Sequence, residues 1–248
     1  DYFNSIPTHK IKKKAELSIE CEGFWREAKE KSNFNIVKNS FVKLVKLIKE
    51  ESEILSQIKN KKRYDCLLLK YDRSLDSKKL FKIFNRVEKF LKKKLPLIIK
   101  KQKNIEIKDL LNEQDQFNLS KIFMKQLGFD FSRGRIDKSL HPFCGGGTQD
   151  VRITTRFSEE DSFSCFDALM HETGHALYEQ GLPKKWAHQP IGSAGGMSLH
   201  ESQSLFIEMQ IIKSLPVSKF IQKTLEDKIG KDPNVWSSQV IYNIRNNV

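Results

Sequence analysis

Apolar residues three and four positions apart, set among charged ones, recur through most of this chain, and that period commits it to helices that pack by one face. Between Ala15 and about Asn60 the stripe runs through Leu17, Phe24, Trp25, Phe41, Leu44, Val45 and Ile48, which predicts two amphipathic helices. Asp76-Ser77 offers an N-cap for a third, with Leu80, Phe81, Phe84, Val87, Phe90, Leu91 and Leu95 on one stripe. Gln116 to Leu127 makes a shorter helix closed by Gly128, a residue free to take the left-handed conformation that ends helices.

The period breaks between Asp130 and Phe157. Gly134, Pro142 and the Gly145-Gly146-Gly147 run read as loop, and the alternation of Val151, Ile153 and Thr155 reads as a short strand or hairpin. Helical spacing returns at Ser158-Glu159-Glu160, an acidic first turn suited to the positive end of a helix, and continues through Phe163, Phe166, Met170 and Leu177 to Gly181. Another helix follows Gly192-Ser193-Ala194-Gly195-Gly196 and runs to about Ser214, and two more are expected after Pro216 and Pro233. No internal repeat or low-complexity linker marks a boundary. The expected architecture is therefore mainly α: one domain over residues 1–248, a small β element at about 130–157, and the helices that carry its chemistry at about 158–214.

The formal net charge of +13 comes from lysines spread along helical stretches, such as Lys43, Lys46 and Lys49, with denser runs at Lys12 to Lys14 and Lys92 to Lys94. A nucleic-acid reader would interleave such charge with stacking aromatics or carry a known binding module; neither is present, and the lysines read as solvated helix faces. No run approaches the roughly 18 to 20 apolar residues of a membrane span, so no membrane partner is expected. Cys21, Cys66, Cys144 and Cys165 form no CxxC pair, which argues against a disulfide framework and suits a reducing compartment. His141 and Cys144 have the spacing of a ligand pair, but the glycines that follow make a bland reading the stronger one.

The chemistry is concentrated at His171-Glu172-Thr173-Gly174-His175. On a helix, four residues advance the chain by about 400°, so both imidazoles leave one face a turn apart and can reach one zinc. Glu172 stands beside the first histidine without being a ligand, as a general base for a water must. Gly174 is expected to leave space next to the metal. Catalytic zinc takes three protein donors and keeps a fourth position open. His200-Glu201-Ser202-Gln203 supplies the third on the next helix, Glu201 lying 201 − 171 = 30 positions past the first histidine. Two His with one Glu is a peptidase ligand set, which favours Glu201; His200 is the competing donor, and otherwise a histidine behind the site or in contact with substrate. Glu208 reads as a structural hydrogen bond or ion pair.

Taken together, His141-Pro142-Phe143, Asp150-Val151-Arg152-Ile153-Thr154, the HExxH stretch ending Ala176-Leu177-Tyr178-Glu179-Gln180-Gly181, and His200-Glu201-Ser202-Gln203 resemble the carboxypeptidase Taq family of metallocarboxypeptidases. Weaker similarity reaches back through Phe24-Trp25-Arg26-Glu27-Ala28-Lys29 and Tyr64-Asp65, so it covers nearly the whole chain. The resemblance implies a helical, cytoplasmic enzyme, a homodimer at full length, that releases C-terminal residues from peptides with broad side-chain tolerance. It also implies zinc, with cobalt as an alternative metal, held by His171, His175 and Glu201, with Glu172 as base. His141, Arg152 and His200 are the expected substrate contacts; for Asp150, Arg152 and Thr154, a polar cluster bracing the strand is an equal alternative. Cys144-Gly145-Gly146-Gly147 departs from the family pattern on the substrate side.

Both ends read as cut. The chain begins at Asp1 rather than Met, and Val240 to Val248 stop inside an apolar-periodic stretch, with Ile244-Arg245 resembling the start of a later family motif. The rest of that motif, and a further one, are expected beyond Val248. Two other functions stay open on the residues alone: a zinc oligopeptidase or endopeptidase on a related scaffold, and a non-catalytic helical protein stabilised by zinc. An intact Glu172 weighs against the last.

Overall fold

The computed structural model describes residues 2–102, 105, 107–139 and 143–247. By backbone contacts the chain falls into two compact units, residues 1–89 and 90–248, which divide inside a helix rather than at a linker.

The first unit holds α1 (Tyr2–Ser5), α2 (Thr8–Glu30), α3 (Asn35–Lys59), α4 (Arg63–Leu68) and the start of α5 (Ser77–Lys101). The predicted stripes become the α2–α3 pair, closed over Cys21, Ala28 and Val37 at one end, while Ile6, Leu55 and Cys66 cluster separately. Lys14 Nζ reaches the fully buried side chain of Glu51 at 2.7 Å, which offsets the cost of burying that carboxylate. Asp76 caps α5 as expected, its Oδ1 accepting from the Lys79 N–H at 2.8 Å. No side chain of α5 is buried, and Phe81, Phe84 and Phe90 stand exposed along it.

The second unit carries α6 (Glu113–Gln126), strands β1 (Gly134–Lys138), β2 (Phe143–Gly147) and β3 (Asp150–Thr155), then α7 (Ser164–Gly181) and α8 (Met197–Leu205). A wider, π-helical stretch at Phe206–Ile212 continues α8, and α9 (Leu215–Thr224) and α10 (Ser238–Arg245) follow. The Asn112 side chain caps α6, and Gly128, at φ +96°, ends its last turn.

The β element is larger than the sequence indicates. Three strands form a sheet in the order β1-β3-β2, with β1 parallel and β2 antiparallel to β3. The glycine run expected as loop is the edge strand β2. Gly146 adopts φ +97°, and a Cβ there would sit 2.0 Å from the Asp150 carbonyl oxygen, so only glycine lets the hairpin close this tightly. Val151, Ile153 and Thr155 alternate onto one face and are fully buried, and Thr155 Oγ1 meets Cys165 Sγ of α7 at 3.2 Å.

Helix α7 starts six residues later than its acidic signal at Ser158 suggests. Asp161 Oδ1 accepts from the N–H groups of Phe163 (2.8 Å) and Ser164 (3.0 Å), while the Ser158 carbonyl takes a bond from Gln116 Nε2 at 2.7 Å. Those polar ties hold 158–163 as a loop laid against the start of α6. Among the described residues no helix is long and apolar enough to cross a membrane, and the four cysteines are free.

One ion pair fixes the start of α7 from within. Arg245 of α10 has a fully buried side chain that bonds Asp167 through Nε (3.1 Å) and Nη2, donates to the Ile212 carbonyl at 2.6 Å, and lies over the rings of Phe163 and Phe166. Burial pushes the Asp167 carboxyl up, and the guanidinium pulls it back. Removing one partner strands the other in a poor solvent. Arg245→Met should therefore cost about 3–5 kcal/mol in urea unfolding, and pairing it with Asp167→Leu should recover most of the loss.

Candidate metal centre

Helix α7 buries its own Phe166, Leu169, Met170, Thr173 and Ala176 in the core, all with negligible exposure. That anchoring leaves His171 and His175 half-buried on the edge facing α8, their ring centroids 5.0 Å apart. Glu201 of α8 comes to both: Oε1 is 3.5 Å from His171 Nε2, and Oε2 is 3.3 Å from His175 Nε2. One donor atom from each of the three lies within 4.8 Å of the others, close enough for one cation to be shared.

Gly174 is what lets the two helices come this near. A Cβ on it would lie 2.5 Å from Ser204 Cα and 2.6 Å from the Gln203 carbonyl oxygen, where real Cβ atoms are essentially never found. The missing side chain thus makes room for the backbone of α8 rather than for the metal, which corrects the role expected from the sequence. Ser204, fully buried at the crossing, donates to the Glu201 carbonyl at 2.7 Å and ties the third donor to the same contact.

The ring nitrogens turned away from the trio are also held. His171 Nδ1 meets Glu208 Oε2 at 2.8 Å, so two carboxylates two turns apart on the neighbouring element grip one imidazole. His175 Nδ1 faces His200 Nδ1 at 2.5 Å, and His200 Nε2 meets Glu179 Oε1 at 2.9 Å. Burial, with His200 and His171 adding, pushes His175 below its ordinary value, which keeps the ring neutral as a ligand must be. Burial likewise pushes Glu172 up; His171 and a hydrogen bond from the Cys144 backbone N–H of β2 oppose the shift, while Glu201 adds to it. The Cys144 thiol is pushed up to about 12 by burial and by Glu172 and Glu179, which keeps it protonated and disfavours it as a metal donor.

The family model for the carboxypeptidase Taq (M32) metallopeptidases matches residues 1–248. The chain belongs to that family. It is 32% identical to thermostable carboxypeptidase 1 of Thermus thermophilus over 85% of this chain and 44% of that protein, and 31% identical to carboxypeptidase 1 of Bacillus subtilis over 82% and 41%. Its fold matches Trypanosoma cruzi metallocarboxypeptidase 1 with a TM-score of 0.86 and 31% identity, covering 98% of this chain and 50% of that one. The chain spans less than half the length of the curated relatives it matches. The family is one of metallopeptidases, which implies a divalent metal, and the donor set fits one: two imidazoles and a carboxylate converge, and each imidazole is oriented from behind.

Of the residues singled out from the sequence, His171, His175 and Glu201 converge and Glu172 stands beside them. His200, weighed as a ligand, lies instead on the far side of His175. Arg152 does not join the group: it is exposed on the sheet face turned from α7 and pairs with Asp150 of its own strand at 2.8 Å. Thr154, by contrast, is buried and braces the strand, bonded to Ser139 Oγ and the Phe143 N–H. His141 lies outside the described residues. Sequence reasoning gave no part to Glu179 or the Cys144 N–H and only a structural bond to Glu208. A signal existed for two of them, since Glu179 is four residues after His175 and Glu208 seven after Glu201, both spacings that keep one helix face.

Gly174→Ala isolates the helix crossing. Alanine favours a helix by about 1 kcal/mol over glycine, yet forcing apart the two backbones should cost about 1–3 kcal/mol net. The variant should melt lower and release its metal to a chelator at least about tenfold more readily, because Glu201 retreats with α8.

Proposed function

We propose that the protein is a zinc metallocarboxypeptidase that releases single residues from peptide C-termini with broad side-chain tolerance. The observation that carries this reading is the convergence of His171, His175 and Glu201 with Glu172 adjacent, in a chain of a carboxypeptidase family. Zinc at those donors would supply Lewis-acid charge to the peptide carbonyl and to the attacking water. The three side chains would hold the ion and leave room beside it for substrate. Glu172, a carboxylate made more basic by burial, would take the proton of that water as its oxygen bonds to the carbonyl carbon. As the C–N bond breaks, the same carboxyl returns the proton to the leaving amine, so the products are a shortened peptide and a free amino acid. The Cys144 N–H would keep the carboxylate aimed while it carries the proton.

Free thiols at all four cysteines support a cytoplasmic setting. A homodimeric state is part of the same proposal and rests on family membership alone.

Glu172→Gln should retain one metal per chain and lose hydrolysis by about 10²- to 10⁴-fold, whereas Glu201→Ala should lose the metal. Metal analysis beside a peptide assay separates the two roles. N-blocked peptides should yield a mass ladder that shortens from the C-terminus, and amidation of that terminus should suppress it. Internal cleavage of amidated peptides at the same rate would point to an endopeptidase instead.

A further inference from the structure

The two metal histidines are held from behind in different ways. His171 Nδ1 meets a carboxylate directly, that of Glu208 at 2.8 Å. Behind His175 stands a second imidazole, His200, and only beyond it comes the carboxylate of Glu179. The three groups of this arm are mostly buried, with side-chain exposures of 12% for His175, 18% for His200 and 23% for Glu179. Tyr178 closes the side of the chain of rings, edge-on to His200 at 5.2 Å, while its hydroxyl accepts the Gly195 N–H of the α7–α8 connection at 3.0 Å.

We propose that His200 is a positioning residue which, backed by Glu179, locks His175 into the tautomer that can bind the metal, rather than a contact for the peptide. The inference rests on the reading that His171, His175 and Glu201 hold the ion. An imidazole nitrogen that binds a metal carries no proton, so a neutral His175 bound through Nε2 has its proton on Nδ1. Two nitrogens 2.5 Å apart need one donor and one acceptor, so His200 must present a bare Nδ1. Its own proton then sits on Nε2 and is donated to Glu179 Oε1. The reverse order sets two N–H groups against each other and a bare nitrogen against a carboxylate oxygen. The charge of Glu179 therefore selects the tautomer of His200, and His200 selects that of His175. With both ring nitrogens engaged, His200 has none left for substrate.

The direct test is long-range proton–nitrogen NMR of the zinc-loaded chain labelled with ¹⁵N-histidine. The expected result is a proton on Nδ1 of His175 and on Nε2 of His200; a proton on Nδ1 of His200, alone or together with one on Nε2, overturns the proposal. In competition with a chelator, His200→Leu and Glu179→Leu should bind zinc about 10- to 100-fold more weakly, with the unfolding temperature of the metal-free protein unchanged. His200→Gln keeps an acceptor and a donor on one side chain and should recover most of that affinity. Wild-type affinity in both leucine variants, or a glutamine variant as weak as leucine, overturns the proposal while leaving the metal site standing. Should the leucine variants fail to fold, the spectrum of the unaltered protein still decides. If the unaltered chain takes up no zinc, or His171→Ala leaves uptake intact, the metal reading fails and this proposal falls with it.

Discussion

The site depends on one backbone contact, the crossing of α7 and α8 at Gly174. Helices that meet through side chains keep their axes about 8–10 Å apart, and a residue without a side chain at the crossing lets them come closer. Here that closeness serves donor placement as well as packing. Glu201, Ser204 and Glu208 all ride on the element that Gly174 admits, and each is tied to it or to α7 by a hydrogen bond under 3 Å or by the approach to the histidine pair. Distance between donors is thus set by main chain, which is stiff, and not by the reach of a flexible glutamate.

A fixed spacing is of little use unless α7 is also fixed in rotation, and three neighbours see to that. Below it the buried ring of Phe123 of α6 meets its own Phe166 edge to face at 5.2 Å. The sheet presses Val151, Ile153 and Thr155 against it, and the edge strand brings the Cys144 N–H to Glu172. A turn of α7 by one residue, about 100°, would move a histidine off the side that faces Glu201 and break every one of these contacts together. The polar chemistry of the centre is therefore stabilised chiefly by apolar packing elsewhere on the same helix.

The parts of this arrangement legible in the sequence are those that a single element determines. An HExxH pair presents both rings on one side whatever surrounds it, and the third donor could be sought one helix later. The stripes of α2, α3 and α5 and the caps at Asp76 and Gly128 are readable for the same reason, because spacing along one helix sets a stripe and each cap closes on residues a few positions away. What resisted were features made between elements. Glycines carry no alternating pattern, so β2 reads as loop until Asp150 closes on Gly146. The start of α7 is decided by Asp161 and Gln116 and not by the acids at Glu159 and Glu160. Choosing between Glu201 and His200 needs the rotation of α8, and the purpose of Gly174 needs to know whose backbone lies opposite.

The ion pair between Asp167 and Arg245 links residues 78 positions apart, and it has a consequence for the order in which the molecule can be made. During synthesis the stretch that becomes α7 emerges well before its guanidinium partner, and in that interval Asp167 must be hydrated or protonated. A helix whose first turn still holds a wet carboxylate cannot seat Phe163 and Phe166. The stretch that carries the histidine pair is thus ready early in its local pattern but late in its final packing, and a nascent chain that paused before α10 would expose that apolar surface to chaperones and to its neighbours. Closing so long a loop slows folding, and the buried pair makes closure and completion of the core one event.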